Sequence, residues 1–247
     1  MINSEAGTLY GIGVGPGDPE LLTLKAHRLI QQSPYIAYLC SREDHSMARE
    51  IVRHCIDSNK RKKQQEIAIA MPMHKDRTQA NQIYDQTAAE ISDILDQGYD
   101  VAFLCEGDPF FFGSFAYLFE RLQGKHYVDV IPGISSVQSS AAAIGRPLTL
   151  LTEKMAVLSG RHSDQHILQT LGTFESVVIM KPGSQRARLL GLIEQSGRTQ
   201  DGVYIEYAGH PEEKIVRDLR QITGSAGPYF SMILLQGMRD TRQSSQE

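Results

Sequence analysis

The order of apolar and polar positions along the chain predicts strands and helices in alternation. Short runs of apolar, β-branched and aromatic residues, bounded by turn residues, are typical of strands. In the first half of the chain they lie at residues 8–14, 35–39, 101–105 and 127–131. The stretches between them carry apolar residues at helical spacing. Strands that alternate with helices predict an α/β fold with a sheet rich in parallel strands.

Four helices are predicted from apolar residues that share one face. These sets are Leu22, Ala26, Leu29 and Ile30; Tyr84, Ala88, Ile91 and Leu95; Phe111, Phe115, Leu118 and Leu122; and Val137, Ala141 and Ile144. Gly145 ends the last helix and Pro147 follows, which is a strong stop signal. We therefore predict a domain boundary near Pro147, with an N-terminal domain over 1–147 and a C-terminal domain over 148–247.

The second half predicts a smaller α/β unit. Strands are expected at residues 155–160, 176–181, 203–207 and 229–236, and a helical stretch over 186–197 ends on a glycine that is typical of a C-cap. Three further segments have other characters: 212–222 fits both a helical and a strand template and stays open, 58–66 is predicted as a basic surface loop, and 240–247 as a frayed tail.

Composition limits the classes of function. The 247 residues are 41% hydrophobic and 22% charged, and they contain no apolar run long enough to span a membrane. A formal net charge of -4 disfavours a nucleic-acid partner. The chain starts with no basic and apolar signal sequence, and Cys40, Cys55 and Cys105 show no paired spacing. We expect a cytoplasmic protein with reduced thiols.

The first predicted strand ends in the glycine-rich stretch GIGVGPGDPELL at residues 11–22. Glycine has no Cβ, so a backbone at such a strand end can approach a ligand closely. Asp18 is expected to cap the following helix, with Pro19 and Glu20 in its first turn. The spacing fits neither a P-loop, which needs Gly-Lys-Ser/Thr, nor the dinucleotide fingerprint GxGxxG.

Two further strand ends carry glycine loops. CEGDPFFFGSF covers residues 105–115, and IPGISS covers 131–136. Ligands of open α/β sheets bind at the carboxyl ends of strands, so we expect the three loops to converge on one crevice. Glu106 and Asp108 would make this crevice acidic and suited to a positively charged ligand. Phe115 is expected in the core.

The three motifs, taken in order, resemble those of the tetrapyrrole methyltransferases, which methylate porphyrinoid rings with S-adenosylmethionine. The resemblance extends from about residue 8 to 236. Within the family it is nearest to enzymes that methylate precorrin-2 at C-20, because GDPFF is followed, one residue later, by GSF and the last strand has PYFS at 228–231. It implies two α/β domains with the cofactor cleft between them, and a homodimer.

The resemblance also implies which residues hold the methyl donor. By position in the motifs these cofactor-binding candidates are Pro16, Gly107, Asp108, Phe111, Ser135, Ser136, Met180 and Ala208. One departure concerns the uroporphyrinogen-acting members, which carry an aspartate after the tyrosine of the second strand. Here Leu39 follows Tyr38, so no catalytic base is assigned.

The substrate of this family carries several carboxylates, for which arginine, lysine and histidine are suitable partners. The substrate-binding candidates are Arg42, Arg49, His74, Lys75 and Arg77. His45 and His210 could ligate a metal, but a lone histidine is more often structural, and no metal site is predicted.

The leading hypothesis is an S-adenosylmethionine-dependent C-methyltransferase that acts on precorrin-2 or cobalt-precorrin-2 at C-20. Its mechanism would be the alignment of an electron-rich ring carbon with an activated methyl group. The alternatives are another tetrapyrrole methyltransferase, a related enzyme that methylates ribosomal RNA, and a non-catalytic module that binds the donor.

Overall fold

The computed structural model describes residues 5–41, 45–57, 64–71 and 77–237, the side chains of Asp57 and Arg77 excepted. Its contacts divide the chain into two compact units, Met1–Ser136 and Val137–Glu247. The predicted boundary near Pro147 lies within the second unit and stays a prediction. Among the described residues, no helix combines the length and the apolar character needed to cross a bilayer.

The first unit is built on a five-stranded sheet in which every pairing is parallel. Its strand order is β3-β2-β4-β1-β5. The strands are β1 (Thr8–Gly13), β2 (Tyr35–Cys40), β3 (Gln65–Ala70), β4 (Val101–Cys105) and β5 (Tyr127–Ile131). The α/β class with a parallel sheet is therefore confirmed for this unit.

Helices connect these strands and cover both faces of the sheet. They are α1 (Leu24–Gln32), α2 (Met47–Ile51), α3 (Arg53–Asp57), α4 (Arg77–Asp96) and α5 (Phe115–Leu122). Strand β4 is buried along its whole length, and its side chains alternate between two cores. Ala102 and Leu104 pack with residues of α1, α2 and α3, whereas Phe103 packs with residues of α4 and α5. Burial on both faces explains why this strand is uniformly apolar.

The second unit has a mixed five-stranded sheet of order β6-β7-β10-β8-β9. The strands are β6 (Met155–Ser159), β7 (Ser176–Met180), β8 (Gly202–Glu206), β9 (Lys214–Val216) and β10 (Ser231–Gln236). Its helices are α7 (Asp164–Thr173) and α8 (Arg186–Gln195), and α6 (Ser136–Ile144) begins at the last residue of the first unit. Strand β10 runs antiparallel to both β7 and β8, so the carboxyl ends of β7 and β8 meet at the start of β10.

Two predicted helix signals are confirmed and one is corrected. Gly145 and Gly197 follow α6 and α8 with φ values of +71° and +75°, the left-handed geometry of a helix C-cap. Asp18 was expected to cap the first helix, but its carboxylate caps a single 3-10 turn over Pro19–Leu21. Helix α1 begins later and is capped by the Thr23 hydroxyl, which accepts a hydrogen bond from the N–H of Ala26.

The predictions missed one strand and misplaced one residue. Gln65 and Glu66 were assigned to a basic surface loop, yet they begin strand β3; residues 58–63 of that loop lie outside the described residues. Phe111 was placed on the helix that contains Phe115, but α5 starts at Phe115 and Phe111 lies in the turn before it. The segment left open, 212–222, contains β9 and a 3-10 turn over Leu219–Gln221.

Candidate functional site

The three glycine loops of the first unit meet at the carboxyl ends of β1, β4 and β5. Gly15 of the first loop and Gly107 of the second exchange two backbone hydrogen bonds, with N···O distances of 3.3 and 2.8 Å. Gly107 Cα has a φ of +67°, and a Cβ placed on it would lie 3.8 Å from the Cα of Ser135 in the third loop. The expected convergence of the loops is confirmed.

Glycine is required in these loops because their backbones pack against one another. A Cβ on Gly13 would lie 2.6 Å from the carbonyl oxygen of Gly107 and 2.6 Å from the amide nitrogen of Gly133. A Cβ on Gly133 would overlap the same carbonyl oxygen. These glycines therefore allow three backbone segments to touch, which is a different role from leaving space for a ligand.

Gly11 serves the core behind the loops. A Cβ at this position would overlap the ring of Phe115, which is fully buried. Phe115 also contacts the ring of Phe103, with a centroid distance of 5.6 Å. The expectation that Phe115 belongs to the core is confirmed. This packing fixes the start of α5 relative to β1 and so positions the second loop.

Both acidic residues of the second loop bind backbone N–H groups of other segments. Glu106 Oε1 accepts from the N–H of Ala48 in α2, at 3.3 Å. Asp108 Oδ1 accepts from the N–H of Phe110 at 2.9 Å, and Oδ2 accepts from the N–H of Gly133 at 3.1 Å. The sequence predicted that these carboxylates make the crevice acidic, and the structure adds that both accept hydrogen bonds from backbone N–H groups.

The donor-binding candidates of the first unit lie in or directly after these loops. Pro16 follows Gly15 and is partly exposed, and Phe111 lies in the turn that follows Asp108. Ser135 is 7% exposed, and Ser136 is the first residue of α6. The structure therefore brings Pro16, Gly107, Asp108, Ser135 and Ser136 into neighbouring loops. Their role in donor binding stays a prediction.

The two candidates of the second unit lie at one edge of its sheet. Met180 ends β7 and is buried, and Ala208 follows β8 and is also buried. The residue after each strand has a left-handed backbone and donates to a carbonyl oxygen at the start of β10. Lys181 N–H donates to Ser231 O at 3.1 Å, and Tyr207 N–H donates at 2.8 Å to the O of Phe230, the residue before the strand. These hydrogen bonds fix the ends of β7 and β8 beside the start of β10, and Met180 and Ala208 both lie at this edge of the sheet.

A buried arginine supports this edge. Arg186 is 7% exposed, and its guanidinium donates to the carbonyl oxygens of Thr223 and Gly224 at 2.9 and 3.2 Å. It also donates to Glu206 Oε1 at 3.5 Å, which in turn accepts from the hydroxyl of Tyr204 at 2.9 Å. The network joins α8, β8 and the segment that leads to β10. No signal in the sequence distinguished Arg186 from the exposed arginines around it.

Of the substrate-binding candidates, only Arg49 has a described side chain. Its guanidinium holds Glu66 through two hydrogen bonds, each at 3.1 Å, in the bidentate arrangement. Arg42, His74 and Lys75 lie outside the described residues, and Arg77 is described only as the first residue of α4. A role for these residues in substrate binding stays a prediction.

Glu66 connects Arg49 to the phenol of Tyr38, which donates to Glu66 Oε2 at 2.8 Å. The hydrogen bond from Arg49 lowers the pKa of the Glu66 carboxyl below its usual value. Burial, together with the bond to Glu66, raises the pKa of Tyr38 to about 12. At neutral pH this cluster is therefore a protonated phenol, a carboxylate and a guanidinium.

The described thiols and metal-binding side chains offer little catalytic chemistry of their own. Burial raises the pKa of the Cys55 thiol to about 11 and that of Cys105 well above its ordinary value, so both stay protonated. Within the residues that the structure describes, no group of three or more His, Cys, Asp or Glu side chains could hold a metal ion. The chemistry left to the described loop residues is therefore to bind and orient a ligand.

The fold and the loops define a class of protein: two α/β units, the first with three touching glycine loops at the carboxyl edge of a parallel sheet. Residues 8–222 match the family described as Tetrapyrrole (Corrin/Porphyrin) Methylases. This chain belongs to that family, and the resemblance stated from the sequence is confirmed.

Two relatives and one solved structure are similar over most of their length. The precorrin-2 C(20)-methyltransferase of Sinorhizobium sp is 32% identical over 95% of this chain and 97% of its own. The cobalt-precorrin-2 C(20)-methyltransferase of Salmonella typhimurium is 28% identical over 93% of this chain and 96% of its own. The uroporphyrin-III C-methyltransferase of Thermus thermophilus, solved with S-adenosylhomocysteine, matches with a TM-score of 0.65 at 24% identity, over 92% of this chain and 97% of that one. This structural match confirms the fold.

Proposed function

We propose that this protein is an S-adenosylmethionine-dependent C-methyltransferase that methylates precorrin-2 or cobalt-precorrin-2 at C-20. The observation that carries the proposal is the similarity to two C(20)-methyltransferases along more than nine-tenths of the chain. The activity is one of the corrin-ring methylations of cobalamin biosynthesis.

The loops of the first unit fit the methyl donor. Backbone contacts at Gly13, Gly107 and Gly133 hold the three loops beside one another, so a molecule bound at this edge could contact all three. Beside these positions, Pro16 and Phe111 leave part of their surface exposed. We infer that the loop residues Pro16, Gly107, Asp108, Phe111, Ser135 and Ser136 hold the donor, together with Met180 and Ala208 of the second unit.

The reaction needs orientation more than acid or base catalysis. S-adenosylmethionine supplies a methyl group that is already activated by a positively charged sulfur. The loops would hold that group in line with the accepting ring carbon, and such alignment can supply about 7–11 kcal/mol in favourable cases. The glycine loops suit this task because their contacts with one another leave them little freedom to move.

The substrate-binding candidates provide cations for the carboxylates of the ring. Arg49 is the one whose surroundings are described, and it already holds Glu66. A ring carboxylate would therefore compete with Glu66 for the guanidinium. Arg42, His74, Lys75 and Arg77 are proposed for the same role on the basis of their positions in the sequence.

Location and assembly belong to the proposal as well. Cys40, Cys55 and Cys105 are all buried free thiols, which is the state expected in the reducing cytoplasm. A homodimer is proposed from the family resemblance. Small-molecule tetrapyrroles, and not nucleic acids, are the proposed partners.

A paired assay tests the function. The protein and isotopically labelled S-adenosylmethionine are incubated without oxygen with precorrin-2 and separately with cobalt-precorrin-2, and uroporphyrinogen III serves as a third acceptor. One methyl group added at C-20, located by mass spectrometry and carbon NMR, is the expected result, and the faster acceptor identifies the natural ring. Methylation of uroporphyrinogen III alone, or donor binding without methylation of any ring, would contradict the C-20 assignment.

A further inference from the structure

Glu106 and Asp108 lie on either side of Gly107, and their side chains bind two different neighbouring segments. Glu106 reaches the N–H of Ala48, 58 positions away in sequence, and Asp108 reaches the N–H of Gly133, 25 positions away. The second loop is thereby attached to α2 through one carboxylate and to the third loop through the other.

These hydrogen bonds join segments that are already tightly packed. Ala48 is 1% exposed, and a Cβ on Gly13 or on Gly133 would overlap the backbone of a neighbouring loop. A buried N–H group that loses its acceptor costs free energy, because water cannot easily replace the bond. The carboxylates therefore fix the relative positions of the loops that contain Gly107, Gly133 and Ser135.

Two roles are conceivable for carboxylates beside a bound S-adenosylmethionine. They could attract its positively charged sulfur, or they could hold the loops in the geometry that binds the rest of the molecule. Both oxygens of Asp108 accept a backbone N–H, and such bonds aim the carboxylate at the protein's own loops. The observed geometry favours the second role.

We propose that Glu106 and Asp108 are positioning residues that bind the donor indirectly, by fixing the three glycine loops, and are not charge partners of its sulfonium. The inference rests on the proposed function for the identity of the ligand. It predicts that loss of either carboxylate lowers the affinity for S-adenosylmethionine and for S-adenosylhomocysteine to the same extent, although the sulfur of the second ligand is uncharged.

The test uses the isosteric variants Asp108→Asn and Glu106→Gln in the full chain. At Asp108 both oxygens accept a backbone N–H, so an amide in place of the carboxylate removes the charge and leaves one N–H without its acceptor. At Glu106 the amide oxygen can still accept from Ala48, and that bond loses the strength that the charge gives it. Asp129→Asn is the matched control, since Asp129 is a carboxylate of the same unit that pairs with Lys25 at 3.0 Å, away from the loops. Isothermal titration calorimetry gives the dissociation constants of both ligands.

We expect Asp108→Asn to weaken both ligands by about tenfold and to the same extent within about twofold, as for the loss of one buried hydrogen bond to a charged acceptor. Glu106→Gln should act in the same direction. The control should leave both constants unchanged. Without ligand, hydrogen exchange should be faster in Asp108→Asn at the amides of Phe110 and Gly133, while circular dichroism shows that the variant is folded.

Different results separate this inference from the proposed function. A loss of affinity confined to S-adenosylmethionine would identify the carboxylates as charge partners and overturn the inference, while donor use would stand. Unchanged exchange at both Phe110 and Gly133, or unchanged affinity for both ligands in both variants, would also overturn it. Wild-type protein that binds neither ligand would contradict the proposed function, and faster exchange in the variant would still support the loop-fixing role. If Asp108→Asn does not fold, Glu106→Gln decides by the same comparison of ligands, with exchange read at Ala48.

Discussion

At Gly13 and Gly133 the absence of a single carbon atom decides whether the three loops can touch. Each of these residues lies against the backbone of another, so a methyl group has no flexible neighbour that could move aside. Gly191 is different, because it lies within α8 and a Cβ there would have open space around it. A side chain is therefore sterically excluded at Gly13 and has room at Gly191.

Gly13→Ala should therefore destabilise the protein by about 2–3 kcal/mol through overpacking and should weaken donor binding. Gly191→Ala is the control and should stabilise it by up to about 1 kcal/mol, since alanine is the better helix former. Chemical denaturation of both variants, followed by calorimetry with S-adenosylhomocysteine, measures the two effects. A Gly13→Ala variant as stable as wild type would show that the loops can separate.

Glu66 is the residue whose ionisation connects stability to pH. Its pKa is lowered in the folded state by the bond from Arg49, so its contribution is present above the unfolded pKa near 4.5 and is lost as the pH falls through the folded pKa. The contribution of Tyr38 to stability has the opposite dependence on pH, because it is lost as the pH rises. Its folded pKa of about 12 lies above the ordinary 10.0, so its contribution is lost as the pH rises from 10 through about 12.

Glu66→Gln should lower the melting temperature at pH 7, and the difference from wild type should shrink as the pH is lowered below 4.5. Glu90→Gln changes an exposed carboxylate on α4 and serves as the control, with little effect at any pH. Melting temperatures between pH 7 and pH 3 measure both. A difference that stays constant over this range would mean that the charge of Glu66 is not responsible.

At the scale of elements, Arg186 joins one helix to the strand and the loop beside it. Its guanidinium binds carbonyl oxygens of the segment before β10 and a carboxylate of β8, and a Cβ on Gly227 would lie 2.9 Å from its Nη1. A buried ion pair adds little net stability, but removing one partner leaves the other charge buried and unpaired. The edge that carries Met180 and Ala208 therefore depends on this side chain.

Arg186→Ala should destabilise the second unit by about 3 kcal/mol or more. Arg220→Ala removes an exposed arginine that pairs with Asp218, and as a surface pair it should cost less than about 1 kcal/mol. Hydrogen exchange, with denaturation as a second measure, should show lost protection in β8 and in residues 223–230. Equal effects of the two substitutions would contradict the role assigned to Arg186.

The pattern of residues was a good guide to most elements. Strands β4 and β5 were placed at 101–105 and 127–131, where the structure has them, because the side chains of short strands and the turns at their ends leave local signals. Strand β3 was missed because it lies at the edge of the sheet, where Gln65, Glu66 and two alanines are exposed and the apolar pattern is weak. Phe111 was misplaced because it lies four residues before Phe115, and an apolar residue at this spacing fits the helical pattern whether or not the helix has begun.

At the scale of the whole molecule, binding of the donor and binding of the ring are assigned to different residues. The loops with Gly107 and Ser135 are proposed for the donor, whereas Arg49 on α2 is proposed for a carboxylate of the ring. The two roles can be separated kinetically, because a residue that contacts only one ligand changes the constant of that ligand alone.

Arg49→Ala should raise KM for the tetrapyrrole about tenfold through the loss of a charge-assisted pair, and should leave the dissociation constant of S-adenosylhomocysteine within about twofold of wild type. Arg53→Ala is the control, because this arginine is exposed and its pairing is with Glu50, three residues earlier in the chain. Steady-state kinetics and calorimetry measure the two constants. An unchanged KM would leave Arg49 with the structural role of holding Glu66.

The sequence by itself determined the α/β class, most strand and helix positions, the three glycine loops and the family, because each depends on residues that are neighbours along the chain. Only the tertiary structure decided what the loop residues contact. The bonds from Asp108 to Gly133 and from Glu106 to Ala48 join residues far apart in sequence, and no local spacing encodes them. For this reason the carboxylates were predicted only as a source of negative charge, whereas in the folded chain they also bind the backbone N–H groups that packing has brought to them.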